Sequence, residues 1–401
     1  MKHAPRSRFP WSGAFVAALV LLASGPALAQ REGTSYLSYV GTEVSLVSTN
    51  EDDTTARLNM PILAGDRLST GAGSRAEAVL ADGNILRFDT RTDVRFDRLA
   101  NTYQTEDERT LLFLESGALA IDVRFAASRE NAPRIDTNDA TIVLADRAYV
   151  RIDAGRRGTE VYVESGRAEV FGRSGRVLVK AGEYAYVSGS AEVEVDVSAF
   201  PRDRFTRFCE ERRDRRAPST RYVSSDYDYE YTDAGFEDYG SWTYVSSWGR
   251  NCWRPRVHSG WLPYTSGYWR YSPHGMTWVS YEPWGWLPYH YGTWGYDVGA
   301  GWCWIPGASY SPAWVYWSYA PGWVGWCPMG YYGGYYDHYY RSTRPLWGND
   351  GRGWGYAHLS GRVQVGRIDN HGWSYTPTSR LGRRFDVNRD VVRFERTGLT
   401  R

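Results

Sequence analysis

A repeat of about 25 residues restricts what the second half of this 401-residue chain can fold into. The motifs "YGSW", "SGYW" and "YGTW" end at Trp242, Trp269 and Trp294, and "WLPY" begins at both Trp261 and Trp286. Fixed periods of roughly 20–50 residues indicate supersecondary units that stack on one another. The second half is therefore predicted to be an array of such units.

Each copy also carries a second tryptophan, at position 253, 278 or 304, and a degraded fourth copy runs from Pro312 to Gly330. A unit this short, with proline, several glycines and β-favouring aromatics, fits two or three short antiparallel strands. Short strands bury little area, whereas one large ring removes about 150–250 Å² from water. The periodic tryptophans are therefore interpreted as packing residues.

Some rings can still serve a ligand, because repeat modules can leave a ring face open between neighbouring copies. Open faces stack on sugar rings or hold cationic headgroups. The candidate ligand-stacking residues are Tyr264 and Tyr289, together with Trp284 and Trp317, which lie outside the strict period.

The first half uses a different core. Eighteen of the 19 tryptophans lie between Trp242 and Trp373, and none lies between Gln30 and Gly240. Segments such as "TEVYVESGRAEVFG" alternate apolar and polar residues on both sides of a glycine-containing turn. This pattern is typical of consecutive β-hairpins or solenoid rungs. The whole chain is therefore predicted to be all-β.

The segment "AGDRLSTGAGSRAEAVLADGNILRF" (64–88), followed by "RIDTNDATIVL", "EVYVESGRAEV" and "VLVKAGEYAYV", resembles the FecR domain. The resemblance covers residues 36–197 and implies an all-β solenoid or sandwich module in the periplasm. The best-known members pass a signal from an outer-membrane transporter to a sigma factor. Here Asn138 replaces the usual proline, Arg147-Ala148 replaces Gly-Thr, and neither an anti-sigma segment nor a membrane helix is expected.

Residues 203–330 resemble a tryptophan-rich domain of unknown function that commonly follows a FecR domain in exported bacterial proteins. "EPWGWLPYHYGTW" and "GWCWIPG" carry this resemblance. It implies no assigned activity. The predicted repeat domain itself spans residues 239–330.

The remaining segments complete the expected organisation. Residues 1–29 are predicted to be a signal peptide cut after Ala29, because a basic start precedes a short apolar run and Ala27-Leu28-Ala29. The protein is then periplasmic or secreted, with no later span apolar enough to cross a membrane. An arginine-rich linker with one short helix is expected at 198–238, a Gly/Tyr-rich linker at 331–346, and a short β tail at 347–401.

The four cysteines suggest disulfides in an oxidising compartment. Cys303 and Cys327 lie one repeat apart, so stacked copies would bring them within reach of each other. Cys252 is two copies before Cys303, which leaves Cys209 as its partner. The predicted pairs are Cys303–Cys327 and Cys209–Cys252.

Catalytic, cofactor and metal sites are not predicted. The acids of the repeats, Glu282 and Asp297, show no periodic pairing of the kind a glycosidase needs. The histidines lack ligand spacing, and His290 is interpreted as a residue that hydrogen-bonds a turn. The net charge of +1 gives no general attraction to nucleic acid.

These observations predict a non-enzymatic envelope protein without cofactors. Its expected role is that of a binding or scaffold module for a protein or for a glycan such as peptidoglycan. The alternative is a FecR-like periplasmic sensor or regulator linked to an outer-membrane transporter.

Overall fold

The computed structural model describes residues 33–48, 55–100, 109–124, 131–144, 147–189, 191–215, 236–272, 274–320, 322–329 and 373–381. The predicted signal peptide and Gly/Tyr-rich linker lie outside these ranges, and of the predicted tail only 373–381 is described. We call the described part of 33–215 the first module. The aromatic module comprises the described residues of 236–329 together with 373–381.

The first module is built on one large sheet. Its fifteen strands are β1 (Tyr36–Val40), β2 (Val44–Val47), β3 (Arg67–Thr70), β4 (Ala76–Val79), β5 (Ile85–Phe88), β6 (Asp93–Arg98), β7 (Leu111–Asp122), β8 (Arg134–Asp136), β9 (Thr141–Leu144), β10 (Tyr149–Gly155), β11 (Gly158–Ser165), β12 (Arg167–Gly172), β13 (Gly175–Lys180), β14 (Glu183–Val187) and β15 (Glu194–Val197). Alternate side chains of these strands fill an aliphatic core, as the period-two pattern predicts. The predicted all-β fold is confirmed.

Strand β7 connects the two parts of this sheet. Its first half pairs with β6 and β8, and its second half pairs with β5 and β10. Gly117 marks the change, with φ +93, and a Cβ there would lie 2.4 Å from Thr92 Cα. Only glycine fits both that conformation and that approach. The strand can therefore bend at Gly117 and pair with neighbours in both parts of the sheet.

Helix α1 (Arg204–Asp214) packs on the outside of the first module. Asp203 caps it by accepting hydrogen bonds from the backbone N–H groups of Phe205 and Thr206. Phe205 and Cys209 pack against Tyr149 in a small buried cluster. The helix therefore lies on the sheet as part of the first module.

A buried ion cluster also holds this helix. The Glu77 carboxylate accepts hydrogen bonds from Arg87 Nε at 2.8 Å and from Arg212 Nη2 at 2.9 Å. All three side chains are buried. Because an unpaired buried charge is costly, Arg212 fixes the helix by compensating a carboxylate of β4.

The aromatic module consists of four hairpins and short flanking elements. They are α2 (Phe236–Tyr239), β16 (Gly240–Val245), β17 (Arg250–Pro255), β18 (Gly267–Ser272), β19 (Gly275–Ser280), α3 (Trp286–His290), β20 (Tyr291–Asp297), β21 (Gly301–Tyr310), β22 (Val315–Ala320), β23 (Trp323–Pro328), β24 (Ser374–Pro377) and a 3-10 helix (Thr378–Arg380). Hairpins 1 to 4 are β16–β17, β18–β19, β20–β21 and β22–β23, and β24 of the tail pairs with β23. Each sequence repeat therefore contributes one hairpin.

Every hairpin holds one cross-strand tryptophan pair. The pairs are Trp242–Trp253, Trp269–Trp278, Trp294–Trp304 and Trp317–Trp326. The glycine of "YGSW" and "SGYW" lies beneath the partner ring, because a Cβ on Gly240 or Gly267 would come within 2.6 Å of the Trp253 or Trp278 ring. The G-x-W motif is thus a packing motif.

The tryptophan pairs of different hairpins pack on one another. Trp269 of hairpin 2 lies 4.4 Å from Trp317 of hairpin 4, measured between ring centroids, and Trp253 of hairpin 1 lies 6.5 Å from Trp294 of hairpin 3. This aromatic core is continuous with the aliphatic core of the first module. The two modules therefore share one buried interior.

Candidate functional site at the junction of the two modules

An arginine of the aromatic module is buried in the first module. Arg270 of β18 is fully buried, its Nη1 donates to the carbonyl of Pro61, and its Nη2 lies 3.7 Å from Asp66 Oδ2. Asp66 belongs to the "AGDRLSTG" turn, where it also accepts from Ser48 Oγ at 2.6 Å and from Leu63 N–H at 2.9 Å. The ion pair therefore joins the sequence motif of the first module to hairpin 2.

A second polar contact lies beside this ion pair. Asn59 has φ 62, and its Nδ2 donates to the carbonyls of Ser280 at 3.2 Å and Glu282 at 2.9 Å. Asparagine tolerates the left-handed conformation better than most residues do. The local backbone thus directs one amide at two carbonyl groups of the aromatic module.

Stacked rings form the third contact between the modules. Tyr36 of β1 stacks on Trp286 of α3, with ring centroids 3.9 Å apart and an interplanar angle of 11°. Close by, Tyr310 Oη donates to Thr34 Oγ1 at 2.7 Å. The second "WLPY" copy therefore supplies a ring that covers the first strand of the other module.

Glu282 connects the two "WLPY" copies. Its carboxylate accepts hydrogen bonds from Trp261 Nε1 at 2.6 Å, Tyr289 Oη at 2.7 Å and Ser280 Oγ at 2.7 Å. Burial raises the pKa of Glu282 to about 7, although these three donors act to lower it. An acid that titrates near neutral pH therefore lies at the junction.

His290 follows Trp286 by four residues in helix α3 and contacts its ring. It is buried, its Nδ1 is 3.0 Å from the Ser311 carbonyl, and its ring centroid is 4.1 Å from that of Trp286. Burial lowers the pKa of His290 to about 4. Its hydrogen bond to the backbone agrees with the role predicted from the sequence. Across the part of the chain that the structure describes, no three His, Cys, Asp or Glu side chains form a potential metal site.

The candidate ligand-stacking rings are core residues. Tyr264 and Tyr289 are 0% exposed, and Trp317 is also buried. The Tyr264 hydroxyl donates to the Tyr289 carbonyl at 2.9 Å and accepts from the Trp314 N–H at 3.0 Å. The prediction of open ring faces is wrong for these three residues, because hairpins 2, 3 and 4 close over them. Trp284 is half-buried and borders a small cavity at the junction.

Four other tyrosines of the aromatic module remain open to solvent. Tyr244, Tyr271, Tyr296 and Tyr319 are between 49% and 66% exposed. Each follows the first-strand tryptophan of its hairpin by two residues, as in "WTY" and "WRY". In a strand this places it on the same face as the buried ring, one step toward the hairpin tip. The W-x-Y spacing recurs in all four hairpins, and this recurrence is the sequence signal by which these exposed rings could have been predicted.

The cysteines do not form the predicted disulfides Cys303–Cys327 and Cys209–Cys252. All four are buried free thiols. Cys209 lies on the buried face of helix α1, Cys252 and Cys303 share a cluster, and Cys327 packs with Trp373 and Tyr375. The expectation assumed that consecutive repeats are neighbours. In the structure, β17 of hairpin 1 pairs with β21 of hairpin 3 at Trp253–Trp304.

A groove of about 380 Å³ opens on the first module beside helix α1. Tyr39 and Phe208 lie on its wall with ring centroids 5.2 Å apart. The Arg75 guanidinium is 5.6 Å from the Phe208 ring centroid and pairs with Asp89 at 2.7 Å. Gly73, Ser74 and Arg75 come from the same motif segment as Asp66. The groove therefore combines aromatic surface with a cation.

Comparisons with known proteins agree with both resemblances. A model of the FecR protein family matches residues 66–169, and a model of a family of unknown function (DUF6600) matches residues 233–333. The chain thus contains a FecR domain followed by a domain of unknown function. No curated protein matches the chain.

Two crystal structures of a proposed anti-sigma factor from Parabacteroides distasonis, at 2.50 and 1.65 Å resolution, show a partial likeness. Each is 18% identical, with a TM-score of 0.28, and the match covers 33% of this chain. The chain spans 59% of the length of those solved proteins. Within the described residues, no helix has the length and apolar character needed to cross a membrane.

Proposed function

We propose that this protein is a non-enzymatic extracytoplasmic regulator whose FecR domain receives a signal from the periplasmic segment of an outer-membrane transporter. The match of residues 66–169 to the FecR family supports this role. The predicted signal peptide is consistent with export.

A buried contact between the two modules supports transmission of the signal from the FecR domain to the aromatic module. The Asp66 carboxylate of the FecR motif forms a buried ion pair with Arg270 of the aromatic module. A partner that moves this turn would therefore also move β18 and the rings packed on it. In this account the FecR domain receives the signal, and the aromatic module changes its position or its contacts in response.

The groove beside helix α1 is the proposed receiving surface. Tyr39 and Phe208 offer apolar ring surface, and the guanidinium of Arg75, which also pairs with Asp89, offers N–H donors. An extended peptide with apolar and acidic side chains fits this combination. Asp66 precedes strand β3 and the groove residues Gly73, Ser74 and Arg75 follow it, so a bound peptide and the ion pair would act at the two ends of one strand.

Site-specific photo-crosslinking in intact cells tests this proposal. A photoreactive residue at position 42, an exposed position of the groove wall, should capture the periplasmic segment of an outer-membrane transporter. The same probe at Leu178, an exposed position on the edge strand β13, should not. Equal capture at both positions, or none at position 42, would count against the groove as the receiving surface.

A second candidate function is glycan binding through the exposed tyrosines. The W-x-Y period places one open ring on every hairpin, and such rings stack on sugars. Retention of the protein on insoluble peptidoglycan should then fall at least tenfold in Tyr244→Ala/Tyr296→Ala, while Val298→Ala, also exposed, retains binding. Unchanged retention in the double variant, or no retention of the native protein, would exclude this candidate.

A further inference from the structure

Strand β15 forms one end of the large sheet in the first module. It pairs with β14 in an unbroken antiparallel register, and among the described residues no strand pairs with its other edge. Backbone N–H and C=O groups alternate between the two edges of a strand, so half of those in β15 point away from β14. The sheet therefore ends in a row of open hydrogen-bonding groups.

The outer face of β15, opposite to the core of the module, is acidic. Two cross-strand rows of acidic and tyrosine side chains end there, Glu160–Tyr186–Glu194 and Tyr162–Tyr184–Asp196. The rings of Tyr162 and Tyr184 stack, with centroids 5.5 Å apart and an interplanar angle of 17°. Glu194 and Asp196 are exposed, and neither forms an ion pair with a described residue. A cation beside β15 would therefore meet two available carboxylates next to aromatic rings.

The core-side face of β15 is apolar and uncovered. A cross-strand row runs from Val161 through Ala185 to Val195. Val161 and Ala185 are 0% exposed, whereas Val195 is 40% and Val197 is 81% exposed. Native sheets usually protect such an edge with an inward-pointing charge, a proline or a bulge, and β15 has none of these. The apolar side of the sheet thus continues to β15 without a cover.

The other end of the sheet, strand β13, differs from β15. On its core side Val179 is buried and Val177 is half-buried, and its outward-facing side chains include the exposed Arg176 and Lys180. Lysine on an edge strand is a common protection against further pairing. An exposed valine pair is therefore a property of β15 and not of both sheet ends.

We propose that β15 is a docking edge for an extended segment of a partner protein, which adds to the sheet as its next strand. Because side chains alternate between the faces of a strand, this segment must alternate apolar residues with lysine or arginine. Its apolar residues would cover Val195 and Val197, and its cations would pair with Glu194 and Asp196. The edge shares no residue with the groove beside helix α1, so it is a second contact beyond the proposed receiving surface.

A second copy of this chain is a poorer occupant of the same edge. Pairing of β15 with β15, in a register that keeps the valines on one face, would place carboxylates opposite carboxylates. Like charges directly opposite each other destabilise a strand pair. The charges of the edge therefore favour a basic partner.

Two synthetic peptides of equal composition test strand addition. One alternates valine and lysine, and the other carries the same residues with all valines before all lysines. Fluorescence anisotropy of the labelled peptides, titrated with the full chain, should show about tenfold tighter binding of the alternating peptide. Hydrogen exchange at the β15 amides should slow in that complex. Equal affinity for both peptides, or no binding of the alternating one, would overturn the proposal.

A charge reversal on β15 identifies the surface. Glu194→Lys/Asp196→Lys should weaken binding of the alternating valine–lysine peptide by about tenfold and should create binding of a valine–glutamate peptide. Glu237→Lys/Asp238→Lys makes the same change of charge at exposed positions of α2 and should leave both affinities unchanged. Equal losses in the two variants would show non-specific attraction between charges. A native dimer that only the β15 variant dissociates would assign the edge to a second copy, and either result would overturn the proposal.

Discussion

The guanidinium of Arg270 lies 3.7 Å from the carboxylate of Asp66, and neither side chain is open to solvent. The two residues are 204 positions apart in the sequence. Asp66 belongs to the FecR domain, and Arg270 belongs to the domain of unknown function. An isolated buried charge is costly, so each residue depends on the other. The two modules therefore fold as partners.

Removal of this arginine should destabilise the protein strongly. Arg270→Met leaves the Asp66 carboxylate buried without its cation, and breaking such pairs costs about 3–5 kcal/mol. Urea denaturation should show this loss in the free energy of unfolding. Arg250→Met, at an exposed position of β17, serves as the control and should change stability by less than about 0.5 kcal/mol. Similar values for both variants would mean that the ion pair is not a structural contact.

The carboxylate of Glu282 should make stability fall as pH rises. Its pKa is about 7 in the folded protein and 4.5 in its ordinary state, so the folded form binds more protons between these values. Stability from this group is therefore greatest below pH 4.5 and declines up to about pH 7. In Glu282→Gln that component disappears, and the free energy of unfolding should decline less between pH 5 and 7 than in the native protein. An identical pH profile would show that Glu282 does not titrate in this range.

Burial of His290 should make the stability rise, and not fall, as pH increases from about 4 to 6.5. Its pKa falls from 6.5 to about 4 on burial, so the unfolded chain binds the extra proton between these values. Its contribution therefore rises with pH from about 4 to 6.5. Thermal unfolding of His290→Gln should show a weaker acid destabilisation than the native protein does. His258→Gln, at an exposed position, should keep the native profile.

Substitution of a buried tyrosine of the repeats should reduce the free energy of unfolding far more than substitution of an exposed one. Tyr264→Ala removes a ring that is 0% exposed and two hydrogen bonds, so we expect a loss of about 3–5 kcal/mol. Tyr244→Ala removes an exposed ring and should cost less than about 0.5 kcal/mol. Chemical denaturation measures both changes. A larger loss for Tyr244→Ala would contradict the assignment of Tyr264 to the core.

The local architecture could be predicted from the sequence because it depends on neighbouring residues. Period-two alternation and glycine turns predict strands wherever they occur, and each 25-residue repeat became one hairpin. The G-x-W motif also has a local cause, since Gly240 and Gly267 make room for a ring on the adjacent strand. These local patterns are sufficient to identify the periodic tryptophans as packing residues.

The arrangement of hairpins could not be predicted in the same way. Sequence order suggests that consecutive repeats are neighbours, yet hairpin 1 pairs with hairpin 3 through Trp253–Trp304. That difference places Cys252 and Cys303 in one cluster and Cys327 in another. It also decides which rings are covered, because the Tyr264 hydroxyl is enclosed by residues 25 and 50 positions away. Contacts of this kind depend on the tertiary fold.

Tryptophan fluorescence of an Asp66→Asn variant tests most directly whether the two modules depend on each other for their stability. The described first module has no tryptophan, so fluorescence follows unfolding of the aromatic module, while the substitution lies in the FecR domain. We expect Asp66→Asn to lower the urea midpoint seen by fluorescence and by circular dichroism equally, because Arg270 loses its buried partner. Asp97→Asn, at an exposed position of β6, should leave both midpoints unchanged. A fluorescence midpoint that stays at the native value in Asp66→Asn, while the circular dichroism midpoint falls, would contradict the account.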